Sequence, residues 1–277
     1  MTTKEFTLLE ISWLKIFCDD LLADRDPASI KKRLKFLLDF YGVINFPLTP
    51  SPDKLIFRAR KTDEHGFSHV SELGCPPAEL TGAGRLNEPH RPILYTSQNM
   101  WSAYDEIRAI KDDYVQVVSY KFRENQAPNT AVIGDIKDIF RWGQSRHSSA
   151  ITDYVKKTFN SLAERNPLAL KSYIYTDSFL SGLLTDHAAS EKNYIHTCSI
   201  GELIFEKHPH LDAICYQGIE SSGALNLAFK ESRALDILSI DSIHLFKIDH
   251  SYGYGVYDQT LVKAAKSIEG SGHIFWR

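Results

Sequence analysis

Apolar residues near the N-terminus recur at helical spacing. Leu8, Leu9, Ile11, Leu14, Phe17 and Leu21 form one stripe between Phe6 and Ala23, which predicts an amphipathic helix. Asp26 and Pro27 then supply a cap and a first-turn proline for a second helix. Its stripe of Ile30, Leu34, Leu37 and Leu38 runs to a terminating Gly42. So short a connection predicts that the two pack antiparallel, as a helical cap over residues 1–50. The stretch from Phe46 to Pro52 carries three prolines and reads as the boundary to a main domain over residues 51–277.

Past that boundary the pattern alternates between strand and helix. Lys54 to Arg60 reads as a strand, and residues 61–83, polar and rich in Gly and Pro, as a long loop of the kind that borders functional sites. Ile93-Leu94-Tyr95 is a short apolar strand. A helix follows it, capped by Ser97 or Asn99, with Met100, Ala103, Ile107 and Ile110 as its stripe and Glu106 on the stripe's border. Tyr114 to Tyr120 alternates β-branched and aromatic residues and predicts another strand. Residues 135–188 read as mainly helical, with apolar spacing in Ile136, Ile139 and Phe140 and again in Tyr154, Val155, Phe159 and Leu162. The main fold resumes at Tyr194 to Thr197. A helix from Ser199 to Lys207 comes next, then strands at Ala213–Tyr216, Ala224–Phe229 and Ser242–Ile248, and the chain closes at His273–Trp276. The sum is an α+β protein with a mixed β core and flanking helices.

Composition narrows the picture. At 277 residues and 43% hydrophobic the chain buries a core of ordinary size. A net charge of −3 and a pI near 6.4 give no reason to expect a nucleic-acid partner. Cys18, Cys75, Cys198 and Cys215 lie far apart without a CxxC pair, a pattern of reduced thiols in a cytoplasmic protein rather than a disulfide framework or zinc ribbon. The N-terminal stretch carries Glu10, Lys15, Asp19 and Asp20, so it lacks the unbroken apolar core of a signal peptide or membrane span. His208-Pro209-His210 reads as a surface turn, and no metal site is expected. GxSxG, Walker and GxGxxG patterns are missing from the sequence, which disfavours serine hydrolases and P-loop or Rossmann nucleotide binding.

The densest coincidence of chemistry lies in Gly84–Arg108, GRLNEPHRPILYTSQNMWSAYDEIR. A loop guanidinium (Arg85), a strand phenol (Tyr95) and a border carboxylate (Glu106) follow at intervals of ten and eleven residues. This order resembles the RES family of NAD-degrading toxins, named for an Arg, a Glu and a Ser. In that family a Gly-Arg-x-Asn-like loop, a Leu-Tyr or Val-Tyr strand and a Glu on the next helix after an alanine, here Ala103, appear in turn. Leu55-Ile56-Phe57-Arg58-Ala59-Arg60 resembles the family's opening strand, and Cys75-Pro76-Pro77 the Pro-Pro segment of its longer members. LDAICYQGIESSGALNLAF resembles its C-terminal signature, with one departure. Gly218 stands where the family's Ser follows the Tyr, and the nearest hydroxyls are Ser221 and Ser222.

The resemblance implies an ADP-ribosyltransferase-like fold with an N-terminal extension and a helical insertion at about 135–188. It implies NAD as substrate rather than bound cofactor, with Arg85, Tyr95 and Glu106 as catalytic residues and Arg58, Ser221 and Asn226 as substrate-binding ones. The residue types suit that chemistry. Nicotinamide leaves its ribose from a cationic pyridinium, so one carboxylate suffices where ordinary glycoside cleavage needs two. Glu106 would stabilise positive charge building on the ribose, and Arg85 or Arg58 would offer planar donors to the pyrophosphate. Tyr95 would offer a ring face to the pyridinium, worth roughly 0.5–2 kcal/mol. The acceptor stays open between inorganic phosphate, water and a protein side chain; the last would make the chain an ADP-ribosyltransferase. By family analogy a neutralising antitoxin is expected, and a homo-oligomer is compatible with the sequence. Two rivals stand beside this reading. Arg141 and His147 bracket five residues in the manner of a HEPN-like ribonuclease, and Gly218 suits a relative that binds without catalysing.

Overall fold

In the computed structural model, residues 10–48, 54–219 and 223–277 are described. Helices α1 (Ile11–Ala23) and α2 (Pro27–Phe40) open the chain, followed by strands β1 (Ile44–Pro47), β2 (Leu55–Thr62) and β3 (Ile93–Ser97). Next come α3 (Met100–Glu106), β4 (Tyr114–Phe122) and β5 (Asn129–Val132), then α4 (Asp135–Trp142), α5 (Ser149–Arg165), α6 (Pro167–Leu184) and α7 (Cys198–Lys207). β6 (Ala213–Gln217), β7 (Leu225–Lys230), α8 (Glu231–Ile237), β8 (Leu238–Gly253), β9 (Val256–Ile268) and β10 (Ile274–Trp276) complete it. The protein is α+β. No helix among the described residues is long and apolar enough to cross a membrane.

The chain divides into two compact units. One gathers residues 45–83, 87–131 and 210–277, and the other residues 1–44, 84–86 and 132–209. The first is built on a ten-stranded sheet of order β1-β5-β6-β7-β3-β2-β4-β8-β9-β10. From β6 onward every neighbouring pair is antiparallel. Helix α3 lies against β2 and β3. It shares a core of Ala103 and Tyr104 with Ala59, Val115, Val117, Ile248 and Tyr257. In β2 the alternation puts Phe57 and Ala59 toward that core and Ile56 and Arg58 on the opposite face, where Ile56 pairs with Tyr120 and Arg58 with Val118.

The other unit is helical. The predicted N-terminal pair is present. The α2 stripe of Ile30, Leu34, Leu37 and Leu38 is buried; in α1 Leu14 and Leu21 are buried with Cys18, Ile11 and Phe17 are half-buried, and Leu8 and Leu9, with the expected start at Phe6, lie outside the described residues. The two meet through rings, with Trp13 and Phe17 on Phe36 at centroid separations of 5.9 and 5.3 Å. α6 touches α1, α4 and α5, and α2 packs on α7. The residues at 194–197, expected to return the chain to the main fold, are turns of this unit, with Asn193 and Tyr194 in the left-handed region at φ 50 and 56°.

Asp177 is the polar centre of the helical unit. Fully buried on α6, its carboxylate accepts the Gly134 and Lys137 amides at 2.8 Å each and the Tyr41 hydroxyl. It therefore satisfies orphan donors at the start of α4. Burial raises its carboxyl above the ordinary range, against the lowering effect of those three donors. Gly134 is required there, because its φ of +94° is left-handed and a Cβ would sit 2.8 Å from Ser181 Oγ. Asp177→Ala strands these buried donors, so chemical denaturation should show a loss of at least about 2 kcal/mol. Asp177→Asn, which keeps one acceptor oxygen but turns an NH2 toward a donor, should fall between that variant and the parent.

Candidate functional site

The candidate site is built on β3, β7 and the end of α3. Alternation places Tyr95 and Ser97 on one face of β3, where they pair with Ala228 and Asn226 of β7. Asn99 caps α3 by accepting the Ser102 amide at 2.8 Å, which releases Ser97 from the capping role also open to it in the sequence. Ser97 instead donates to Asn226 Oδ1 at 2.7 Å, and Asn226 Nδ2 donates to Glu106 Oε1 at 2.8 Å. Ser97 is 4% and Asn226 2% exposed, while Glu106 is half-buried. The polarity of the amide follows from its neighbours. A carboxylate only accepts, so the NH2 end must face Glu106 and the carbonyl end the hydroxyl.

Helix α3 is shorter than its apolar spacing predicts. The stripe was expected to continue through Ile107 and Ile110, yet Ile107 is the C-cap and Ile110 is 61% exposed. Arg108 turns left-handed at φ 50°, its amide bonds to Asp105 O at 2.8 Å, and the Ala109 amide bonds to Tyr104 O at 3.0 Å. These are the paired bonds of a Schellman ending, closed here without glycine. Ala109 and Tyr104 share the apolar core that accompanies the motif. Glu106 thus stands on the last residue of the helix.

Tyr95, half-buried, donates its hydroxyl to Asn87 Oδ1 at 2.9 Å. Asn87, 4% exposed, spends its own amide on the carbonyls of Gly82 and Glu88 at 2.9 and 3.0 Å. The Asn of the Gly-Arg-x-Asn loop therefore anchors both the loop and the phenol. Sequence reasoning took neither Asn87 nor Ser97 as a site residue, although both lie in the motif-bearing stretch.

The other expected site residues go elsewhere. Arg58 lies on the opposite sheet face from Tyr95 and Asn226, so it does not join them as a pyrophosphate donor. Its Nη1 donates to the Tyr95 carbonyl at 3.1 Å, and its Nε is buried without a hydrogen-bond partner among the described residues. Burial lowers its pKa, and the same burial pushes the neighbouring Cys75 thiol up to about 11 and the Tyr120 phenol up to about 12. Asn226, expected to bind substrate, is buried and uses both ends of its carboxamide within the protein. Ser221 and Ser222 lie outside the described residues.

Arg85 belongs to the helical unit. Its Nη1 donates to the carbonyls of Leu184 and Asp186 at 2.8 and 3.4 Å, and its guanidinium lies over the Tyr194 ring at 5.6 Å. A cation is thereby placed at the C-terminal end of α6. Asp186 and Tyr194, with Lys192 and His196, also line a pocket of about 230 Å³. The next residue, Leu86, is seated against α7. Its carbonyl oxygen would lie 2.1 Å from a Cβ at Gly201, so only glycine admits this approach.

No protein-family model and no curated protein matches the chain. Among solved structures, a similar chain occurs in the M. tuberculosis MbcT–MbcA toxin–antitoxin complex. It is 13% identical, with 76% of this chain and 90% of that chain covered and a TM-score of 0.40. The likeness is distant.

The Asn87 anchor gives a direct test. Asn87→Ala removes the bonds that Asn87 makes to the Tyr95 hydroxyl and to the Gly82 and Glu88 carbonyls, so the protein should lose about 1–3 kcal/mol in chemical denaturation. In an Asn87→Ala background, Tyr95→Phe should cost less than it does in the parent, because the bond it removes is already gone.

Proposed function

We propose that this chain cleaves the nicotinamide–ribose bond of NAD in the manner of a RES-type toxin. The observation that carries the reading is the shared placement of Tyr95, Asn226 and Glu106 on one face of the sheet unit, with the Glu106 carboxylate held by a buried amide. A fixed carboxylate is suited to stabilising positive charge that develops on a ribose ring as the base departs. The departing nicotinamide needs no proton, so the reaction asks for no second carboxyl. Tyr95 supports the reading as a half-buried ring whose hydroxyl is fixed by Asn87, a surface on which a pyridinium can stack.

The acceptor of the ADP-ribosyl group is proposed to be inorganic phosphate or water. Transfer to phosphate gives ADP-ribose-1''-phosphate, and transfer to water gives ADP-ribose. An enzyme that drains NAD harms the cell that makes it, so a neutralising protein partner belongs to the same proposal. Arg85, which the family resemblance assigns to the pyrophosphate, is proposed to contribute to NAD binding.

Purified protein incubated with NAD and phosphate should consume NAD, and a phosphorus NMR spectrum of the products identifies the acceptor. Glu106→Gln preserves the shape of the side chain and an oxygen for Asn226 but removes the charge. It should fold like the parent by circular dichroism and lower the rate of NAD loss by about a hundredfold or more, the scale of losing a preorganised electrostatic group. Arg85→Ala should raise KM more than it lowers kcat. NAD left intact by the parent, or consumed equally well by Glu106→Gln, overturns the proposal. RNA cleavage with NAD untouched would move the assignment to the ribonuclease reading of Arg141 and His147.

A further inference from the structure

We infer that Ser97 and Asn226 form a positioning relay that sets the orientation of the Glu106 carboxylate, and that Asn226 acts through Glu106 rather than by touching substrate. The inference rests on the NAD-cleaving reading above and specifies how its carboxylate is held.

The relay runs across two strands and a helix end. Ser97 and Asn226 are directly opposed in the β3–β7 ladder, so backbone hydrogen bonding fixes the separation of their side chains before any side-chain bond forms. Ser97 Oγ then donates to Asn226 Oδ1 at 2.7 Å, and Asn226 Nδ2 to Glu106 Oε1 at 2.8 Å. Both relay side chains are buried, at 4% and 2% exposure, so neither is placed to meet a ligand from solvent. Glu106 is only half-buried, and it is the member that can.

The direction of the bonds carries the argument. Turning the Asn226 amide over would aim its carbonyl at the carboxylate, two acceptors facing one another. The Ser97 hydroxyl stabilises the productive orientation by donating to the carbonyl end. Removing that hydroxyl leaves a buried carbonyl oxygen without its donor, and the amide is then free to seek another partner. The carboxylate loses the Asn226 donor in the process. A buried group two bonds away is thereby coupled to the reacting carboxylate through one side chain.

Steady-state NAD consumption with single and double variants tests this. Ser97→Ala should lower kcat by about tenfold or more while KM changes by less than about threefold. Asn226→Leu should lower kcat at least as far, and adding Ser97→Ala to it should have little further effect, because the hydroxyl acts only through the amide. Ser97→Thr, which keeps the hydroxyl on a strand-favouring residue, should restore most of the rate. An activity-independent readout accompanies these. In protein labelled with 15N-asparagine, the Asn226 carboxamide protons should exchange slowly in the parent and quickly in Ser97→Ala.

A parent that consumes NAD, with Ser97→Ala consuming it at the same kcat or keeping its carboxamide equally protected, overturns the relay and leaves the function standing. Independent, additive losses in the double variant overturn it as well. A parent that leaves NAD intact overturns the function and the inference together.

Discussion

A buried carboxamide satisfied at both ends constrains this sheet unit more tightly than its apolar contacts do. Asn226 must find a donor on one side and an acceptor on the other, and it finds them in Ser97 and Glu106. Apolar packing tolerates sliding, because one methyl group replaces another at modest cost. An amide between a hydroxyl and a carboxylate does not. A one-residue slip of β3 against β7 would send Ser97 to the opposite face from Asn226 and strand polar atoms in the interior. The relay therefore fixes strand register and carboxylate position at once, so the features that define the site also help to define the fold around it.

Helix α3 is pinned from two directions by its last two residues. Asp105 accepts the Tyr257 hydroxyl of β9 at 2.6 Å, and Glu106 accepts the Asn226 amide of β7. Two carboxylates at a helix C-terminus are unfavourably placed with respect to the backbone dipole. Each is offset by a directed donor, and the edge-to-face contact of Tyr104 with Tyr257, at 5.4 Å, adds apolar support beneath them. So short a helix has little intrinsic stability. Its position comes from these tertiary bonds, together with the Asn99 cap at one end and the Schellman turn at the other.

The sequence made much of this legible, and the misses have physical causes. The helical stripes of α1 and α2, the Asp26-Pro27 cap and strands β2, β3, β4, β6 and β7 were readable because burial on one face imposes a period that composition displays. β1, β5, α8 and β9 were missed: β9 is long but largely exposed, with charged and small residues interrupting its alternation, β5 and α8 are short, and β1 runs into the Phe46–Pro52 stretch whose prolines read as a linker. The end of α3 was misread because Arg108 adopts the left-handed conformation that usually advertises itself as glycine. In the candidate site, residue types and order drew attention to Tyr95 and Glu106, which the structure places on the same side of the sheet. Ser97 and Asn87 act through partners made adjacent only by strand pairing and loop closure, which a one-dimensional pattern does not encode.

Successive residues of the Gly-Arg-x-Asn loop are held by different partners. Leu86 is seated on α7 by the close approach that Gly201 allows, and Asn87 ties its own loop to Tyr95. Arg85 and Asn87 are therefore positioned by different interactions, although they are neighbours in sequence. For Arg85 the anchoring uses one amino group, Nη1, on the carbonyls at the end of α6, with the Tyr194 ring beneath the guanidinium plane. A planar fork held at one corner and along one face has already lost most of the freedom it would surrender on meeting an anion. The bonds to the end of α6 and the ring beneath it thereby hold the Arg85 guanidinium in one orientation.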